Sequence, residues 1–241
     1  DDPPAGDDEL CGPGAAGCDV ARAAASIASG AFHNAGQGCC AVERVYVHRD
    51  VYDSFVDAFV AEARKYRAAD PALATTNLGP LTSRGAVERV AAHVDDAVRA
   101  GAHVLYRGEA PTQGGGYFHP VVVVGGDALR GSQRQRMITA DETFGPVAAV
   151  VPVHDDEEAI QLMNDSPYGL TASIWTTDAG AAETIGALAQ ETAMKLLRAV
   201  PVLIEAPVEI EVITPEGARA ASFALLLFPG LLMMGMIFAA Q

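Results

Sequence analysis

Residues 42–67 read VERVYVHRDVYDSFVDAFVAEARKYR, and the change of period inside this stretch sets the fold class. Val42–His48 alternates apolar and polar residues, the two-residue period of a strand with one covered face. From Val51 the period lengthens. Val51, Phe55, Phe59 and Ala63 return every fourth residue and share one face of a helix predicted over Val51–Arg67. Asp50 stands at the junction, where its carboxylate is suited to capping the first turn.

The same alternation continues outward on both sides. Asp19 can cap a helix of small residues that runs to about His33. Thr82 or Ser83 opens another, which ends at Ala100 with Gly101 in the position that follows a C-cap. His103–Tyr106 is a short strand, Gly114–Gly116 a loop, and Pro120–Val124 and Val147–Val153 are apolar enough for buried strands. Asp155–Asn164 reads as a helix with acidic residues in its first turn, Thr171–Thr176 as a strand and Asp178–Gln190 as a closing helix. Strands separated by helices predict an α/β domain with a largely parallel sheet. No internal repeat is visible.

Composition narrows the function classes. Half of the 241 residues are hydrophobic, which excludes a disordered chain. Sixteen Lys and Arg against 31 Asp and Glu leave a formal charge of −15, the wrong sign for phosphate contacts, so a nucleic-acid partner is not expected. The cysteines, at 11, 18, 39 and 40, are too few for a disulfide scaffold and lack the paired spacing of a zinc site. No metal is expected, and a reducing, cytoplasmic setting fits.

Both ends differ from the middle. Residues 1–18 are acidic and glycine-rich, with no basic start or apolar run of a secretory signal, and the chain reads as a fragment. After Arg219 no charged residue occurs, and residues 220–241 read AASFALLLFPGLLMMGMIFAAQ. Roughly 20 apolar residues suffice to span a bilayer as a helix, and membrane helices tolerate Pro229-Gly230 better than soluble ones do. A buried helix or hairpin of a soluble fold is the other reading. The tail is also similar to the first span of a transporter permease, which would make residues 193–241 foreign to a domain covering 19–192.

Three motifs bear on chemistry. Gly12-Pro-Gly14-Ala-Ala-Gly17 matches the dinucleotide fingerprint, but the acidic PPAGDDELC before it is no strand, so it is read as a glycine-rich loop. Phe32-His-Asn-Ala-Gly-Gln-Gly-Cys-Cys-Ala41 lies between a helix and a strand, where backbone N–H groups can activate a thiol. A cysteine in such a turn is otherwise a small buried residue, and His33 is either its base or a packing residue. Asp141-Glu142-Thr-Phe144-Gly-Pro-Val147 places carboxylates at a strand entrance, able to accept two hydroxyl hydrogen bonds or simply to be solvated in a turn.

Taken in order, GQGCCAVERVYVHRDVYDSFVDAFV, NLGPLTS, GGGYFHPVVV and DETFGPVAAVVPVHDDEEAIQLMNDSPYGLTASIWTTD resemble the aldehyde dehydrogenase superfamily over about Asp19–Thr192. The resemblance implies a Rossmann-like, three-layer α/β catalytic domain, incomplete here. It implies oxidation of an aldehyde to an acid through a cysteine thioester, with hydride transfer to NAD or NADP. The family nucleophile maps to Cys39, the ribose-binding glutamate to Glu142, and the aromatic residue beside the nicotinamide to Phe144. Asn164 and Tyr168-Gly169-Leu170 match a segment with no chemical role. Glu9, in Glu9-Leu10-Cys11-Gly12, is the candidate general base, although its motif lacks the family lysine and lies too close to Cys39. The family's N-terminal half, its oxyanion-hole Asn and its oligomerisation strand have no counterpart. Two other classes remain open: a non-catalytic remnant, and a hybrid membrane protein making bilayer contact through 220–241.

Overall fold

Helix α1, Val20–Phe32, begins where Asp19 accepts a hydrogen bond from the Arg22 N–H at 3.0 Å. Its buried face is Ala23, Ala24, Ile27, Ala28, Ala31 and Phe32, and the four alanines let α2, Arg49–Ala63, pack closely against it. Phe32 stacks on Phe59 with ring centroids 6.0 Å apart, and Phe59 on Phe55 at 5.6 Å. The computed structural model describes residues 19–111, 115–130, 137–165, 172–176, 178, 180–182 and 184–185. These belong to one unit, Glu9–Leu196. Glu9, the Gly12–Gly17 loop, Tyr168–Leu170 and the 220–241 tail lie outside the described residues.

The sheet has four strands in the order β1-β4-β3-β2: Arg44–His48, Val147–Val153, Val121–Val124 and His103–Arg107. β4 runs parallel to both β1 and β3, with Arg44 opposite Ala149 and Val121 opposite Val147. Buried on both faces over Val147–Val151, it is the central strand that its unbroken apolar run predicts. β2 is antiparallel to β3, with an irregularity between Val104 and Tyr106. No helix separates β2 from β3 among the described residues, and a parallel pairing needs a crossover. The alternating exposure of His103, Leu105 and Arg107 marks β2 as the solvated edge.

Several boundaries depart from expectation. α2 starts at Arg49 and is capped by the His48 Nδ1, which accepts from the Asp50 N–H at 3.3 Å, so Asp50 lies in the first turn and is not the cap. It ends at Ala63, before the expected Arg67, because Asn77 captures the chain there. The Asn77 side chain accepts from the Arg67 N–H at 2.6 Å and donates to the Lys65 carbonyl at 2.8 Å. Short helices at Gly126–Arg130 (α4) and Met137–Ala140 (α5) were not expected. Ala172–Thr176 joins no strand ladder; Trp175 is buried there, its Nε1 donating to the Ser173 hydroxyl at 3.3 Å.

Helix α3, Arg84–Arg99, conforms closely, with Ser83 as its N-cap and Gly101 at φ +100° after its end. The Ser83 Oγ accepts from the Ala86 N–H at 3.1 Å. Ser83→Ala is therefore expected to cost about 1 kcal/mol and Ser83→Gly only a few tenths. Urea-unfolding midpoints check this, and equal losses for both variants would refute the capping role.

Candidate active site

The cysteine-bearing loop is shaped by an unusual backbone run. After α1, Asn34, Ala35 and Gly36 all adopt left-handed conformations, with φ of 51°, 56° and 68°. Asn tolerates that region and Gly favours it, whereas Ala35 is strained and is held by burial. Gly36 has a second reason to lack a side chain, since a Cβ there would collide with the Gly145 carbonyl. Gln37 then locks the loop. Its amide nitrogen donates to the Asn34 and Pro80 carbonyls at 3.2 and 3.3 Å, and its Oε1 accepts from the Thr82 N–H at 2.8 Å. The Gly-Gln pair thus joins the cysteine turn to the segment that opens α3.

Cys39 and Cys40 follow in a four-residue turn closed by the Ala41 N–H on the Gly38 carbonyl at 3.0 Å, and both are half-buried. His33 is exposed, so the packing reading of this residue does not hold.

The carboxylate-bearing loop, Asp141–Pro146, comes up directly beside this turn. Glu142 and Phe144 are half-buried and Asp141 is exposed. Phe144 is also left-handed, at φ 51°. The residue that holds this conformation is Glu43. Its Oε2 accepts from the Thr143 N–H at 2.9 Å and its Oε1 from the Phe144 N–H at 2.8 Å. Only 9% of Glu43 is exposed, and burial pushes its carboxyl up from the ordinary value. The two backbone N–H groups and Arg44 oppose that shift, while the nearby Glu142 charge adds to it. On the other side, the Thr143 hydroxyl shares a 3.1 Å hydrogen bond with His93, buried in α3. Burial lowers the His93 imidazole, so the ring is neutral at neutral pH. Gly145 packs against Val90 so closely that a Cβ would clash.

The fold thus brings the segments of Cys39, Glu142 and Phe144 together at one place, the N-terminal ends of the adjacent parallel strands β1 and β4. Asn164 ends α6, Asp156–Asn164. Glu43 and His93 carried no functional reading from sequence. Each had a signal. Glu43 shares strand parity with the buried Val45 and Val47, and His93 falls on the buried stripe of Ala86, Val90, Val94 and Ala97. Among the described residues no group of three or more His, Cys, Asp or Glu could hold a metal, and no helix is long and apolar enough to cross a membrane.

A family model described as the aldehyde dehydrogenase family matches residues 15–194. The chain belongs to this family. It is 37% identical over 161 residues to a succinate-semialdehyde dehydrogenase [NADP(+)] of Mycobacterium avium, covering 67% of this chain and 33% of that protein. An aldehyde dehydrogenase of Paenarthrobacter nicotinovorans is 40% identical over 160 residues, covering 66% and 34%. Among solved structures, the lactaldehyde dehydrogenase of Escherichia coli superposes with a TM-score of 0.65 at 35% identity, covering 71% of this chain and 35% of that one. The chain therefore spans about a third of the length of the curated relatives it matches.

Glu43→Ala would leave the buried Thr143 N–H and the half-buried Phe144 N–H without an acceptor, at an expected cost of about 3 kcal/mol. Glu43→Gln tests the charge. Because the folded carboxyl titrates above its unfolded value, raising the pH from about 4.5 ionises the unfolded chain first and draws it toward unfolding. Wild type should therefore lose stability relative to Glu43→Gln across that window, as measured by urea unfolding at a series of pH values. A pH-independent difference between the two would show that Glu43 titrates normally.

Proposed function

We propose that this chain carries the nucleophile and part of the nicotinamide nucleotide site of an aldehyde-oxidising dehydrogenase. The observation that supports it most directly is the double clamp between the two loops: Gly36 against Gly145, and Glu43 on the Thr143 and Phe144 N–H groups. That clamp keeps the Cys39 turn and the Glu142-Phe144 loop in register, as two groups acting on one substrate must be.

The residues present fit the nucleotide. Glu142 is a half-buried carboxylate at a loop tip, an acceptor-only group suited to the two hydroxyls of a ribose, and half-buried Phe144 follows it with an apolar ring. Bound NAD or NADP supplies the hydride acceptor. The chain supplies the rest of this half of the site. The Cys39 thiolate adds to the aldehyde carbon, and the carbonyl electrons move onto oxygen, which the Cys39 backbone N–H would stabilise. When the C–H hydrogen departs with its electron pair, Cys39 is left as a thioester. Water then attacks that carbon, losing its proton to a carboxylate, for which Glu9 is the candidate, and the thiolate leaves with the acid released. The relatives, succinate-semialdehyde and lactaldehyde dehydrogenases by name, point to small oxygenated aldehydes as the substrate class.

A paired assay on the 241-residue chain separates these roles. Hydrolysis of p-nitrophenyl acetate needs only the thiol, so it is expected to be weak, abolished by Cys39→Ala and unchanged by Glu142→Ala. NADH or NADPH formation from aldehydes is expected to be absent, since about two thirds of the relatives' length, with its own share of the nucleotide grip, has no counterpart here. Esterase activity that survives Cys39→Ala would remove the nucleophile assignment.

A further inference from the structure

Helix α2 buries Val51, Phe55, Phe59 and Ala63 and carries a second stripe away from them. Asp53, Asp57, Val60, Ala61 and Arg64 recur at the three- and four-residue spacing that aligns side chains on one helix face. Val60 is half-buried and the other four are exposed. Beside this stripe a groove of about 360 Å³ runs between α2 and the edge strand β2, lined by Asp57, Val60, Ala61, Arg64 and Leu105. Leu105 is 48% exposed there, a large apolar side chain left in water. The Arg64 guanidinium lies 5.0 Å over the Tyr106 ring, which holds it at the groove. Neither Arg64 nor Asp57 forms an ion pair among the described residues.

The charges of the stripe are ordered about its centre. Asp57 and Arg64 are two turns apart, about 10.5 Å along the axis, with Val60 and Ala61 midway between them. Asp53 and the exposed Arg67 extend the same order outward, acid before the centre and base after it. The helix dipole accounts for acids in the first turn only, and Asp57 lies beyond its reach. A stripe that is acidic in one half and basic in the other is complementary to itself turned end for end.

We propose that this face binds a second copy of the chain, with the two α2 helices antiparallel across a two-fold axis near Val60 and Ala61. Asp57 of each copy then faces Arg64 of the other, so the symmetry makes the ion pair twice. The small side chain of Ala61 lets the two helix axes approach closely at the crossing. Leu105 from each copy is covered in the shared groove. The balance of charge matters because a chain with a net charge of −15 repels its own copies, and a face carrying both signs gives them an approach that does not. Helix α2 is about 22 Å long, too short to fill the roughly 1,200 Å² of a stable interface, so the dimer is weak and concentration-dependent. The contact is independent of the reaction assigned to Cys39 and of the oligomerisation strand that the family resemblance implies.

The test follows the whole chain by sedimentation velocity from about 10 μM to about 1 mM, where an interface of this size associates. The weight-average mass of wild type should rise with concentration toward twice that of the monomer. Asp57→Arg alone and Arg64→Asp alone each set like charges against each other across the axis, and self-association should weaken at least about tenfold in both. An equimolar mixture of the two variants restores both ion pairs and should dimerise again. Both substituted positions are exposed, and circular dichroism checks that the variants fold. Ala61→Cys gives a second readout specific to this face. On mild oxidation, mass spectrometry of the proteolysed protein should find the residue-61 peptide of one copy joined to the same peptide of another. The proposal is overturned if wild type stays monomeric throughout, or if either reversed-charge variant associates as tightly as wild type. It is also overturned if the mixture associates no better than its components, or if a dimer forms without the residue-61 cross-link, which would place the contact on another face.

Discussion

A buried carboxylate with two backbone N–H groups on it, Glu43 beneath Thr143 and Phe144, is the constraint on which the two halves of the site depend. The loop it holds cannot be stabilised as a strand, because Phe144 is left-handed and its N–H is given to the Glu43 carboxylate. Such groups cannot remain unpaired once buried, and a carboxylate is the one side chain that takes two donors on two parallel oxygens. Glu43 is also anchored through its own backbone, its carbonyl accepting from the Ala149 N–H at 2.9 Å just ahead of the β1–β4 ladder. The loop is thereby tied to the pairing of β1 with β4 rather than to another loop. The desolvation that this arrangement imposes is visible in the raised titration of the carboxyl.

Strain and its compensation are distributed around that clamp. Asn34, Ala35 and Phe144 each adopt a backbone conformation that costs a side-chain-bearing residue on the order of 1 kcal/mol. The compensating bonds come from side chains that reach across the sequence. Gln37 engages Pro80 and Thr82, His93 engages Thr143, and the Arg44 guanidinium donates to the Thr139 carbonyl at 3.0 Å. None of these partners is near its counterpart in sequence, so none of the strain can be relieved without disturbing a second element. A rigid pair of loops is the result, one presenting thiols and the other a carboxylate and a ring.

How much of this could be read in advance follows from the range of the forces involved. β4 was legible to the residue and α3 to within one, because an unbroken apolar run and a Ser cap with a trailing Gly are local signals. The end of α2 was not, since it is set by Asn77, ten residues beyond Arg67. The antiparallel edge could have been read: only a loop at Gly114–Gly116 was expected between the two strands, and a pair joined without a crossover helix runs antiparallel. Cys39, Glu142 and Phe144 came from family resemblance. Glu43 did not, although a charged residue in phase with Val45 and Val47 was a polar side chain assigned to the core face. Such a residue must find a partner, and only the fold reveals that the partner is the loop a hundred residues later.

The position of the site on the sheet has its own cause. Open α/β sheets usually bind ligands outside the carboxyl ends of their strands, yet here both loops precede their strands, at the amino ends of β1 and β4. The carboxyl ends leave no space. β1 passes from His48 straight into α2 at Arg49, and β4 reaches Asp155, the cap of α6, only two residues after Val153. Junctions that short place helix N-termini against the sheet and admit no projecting loop. At the opposite edge, the turn from His33 to Val42 and the stretch from Asp141 to Pro146 enter adjacent parallel strands, and parallel neighbours deliver both loops to the same side. The site falls where the connections are long, and once β1 and β4 are paired in parallel the thiol turn and the carboxylate loop have no other place to meet.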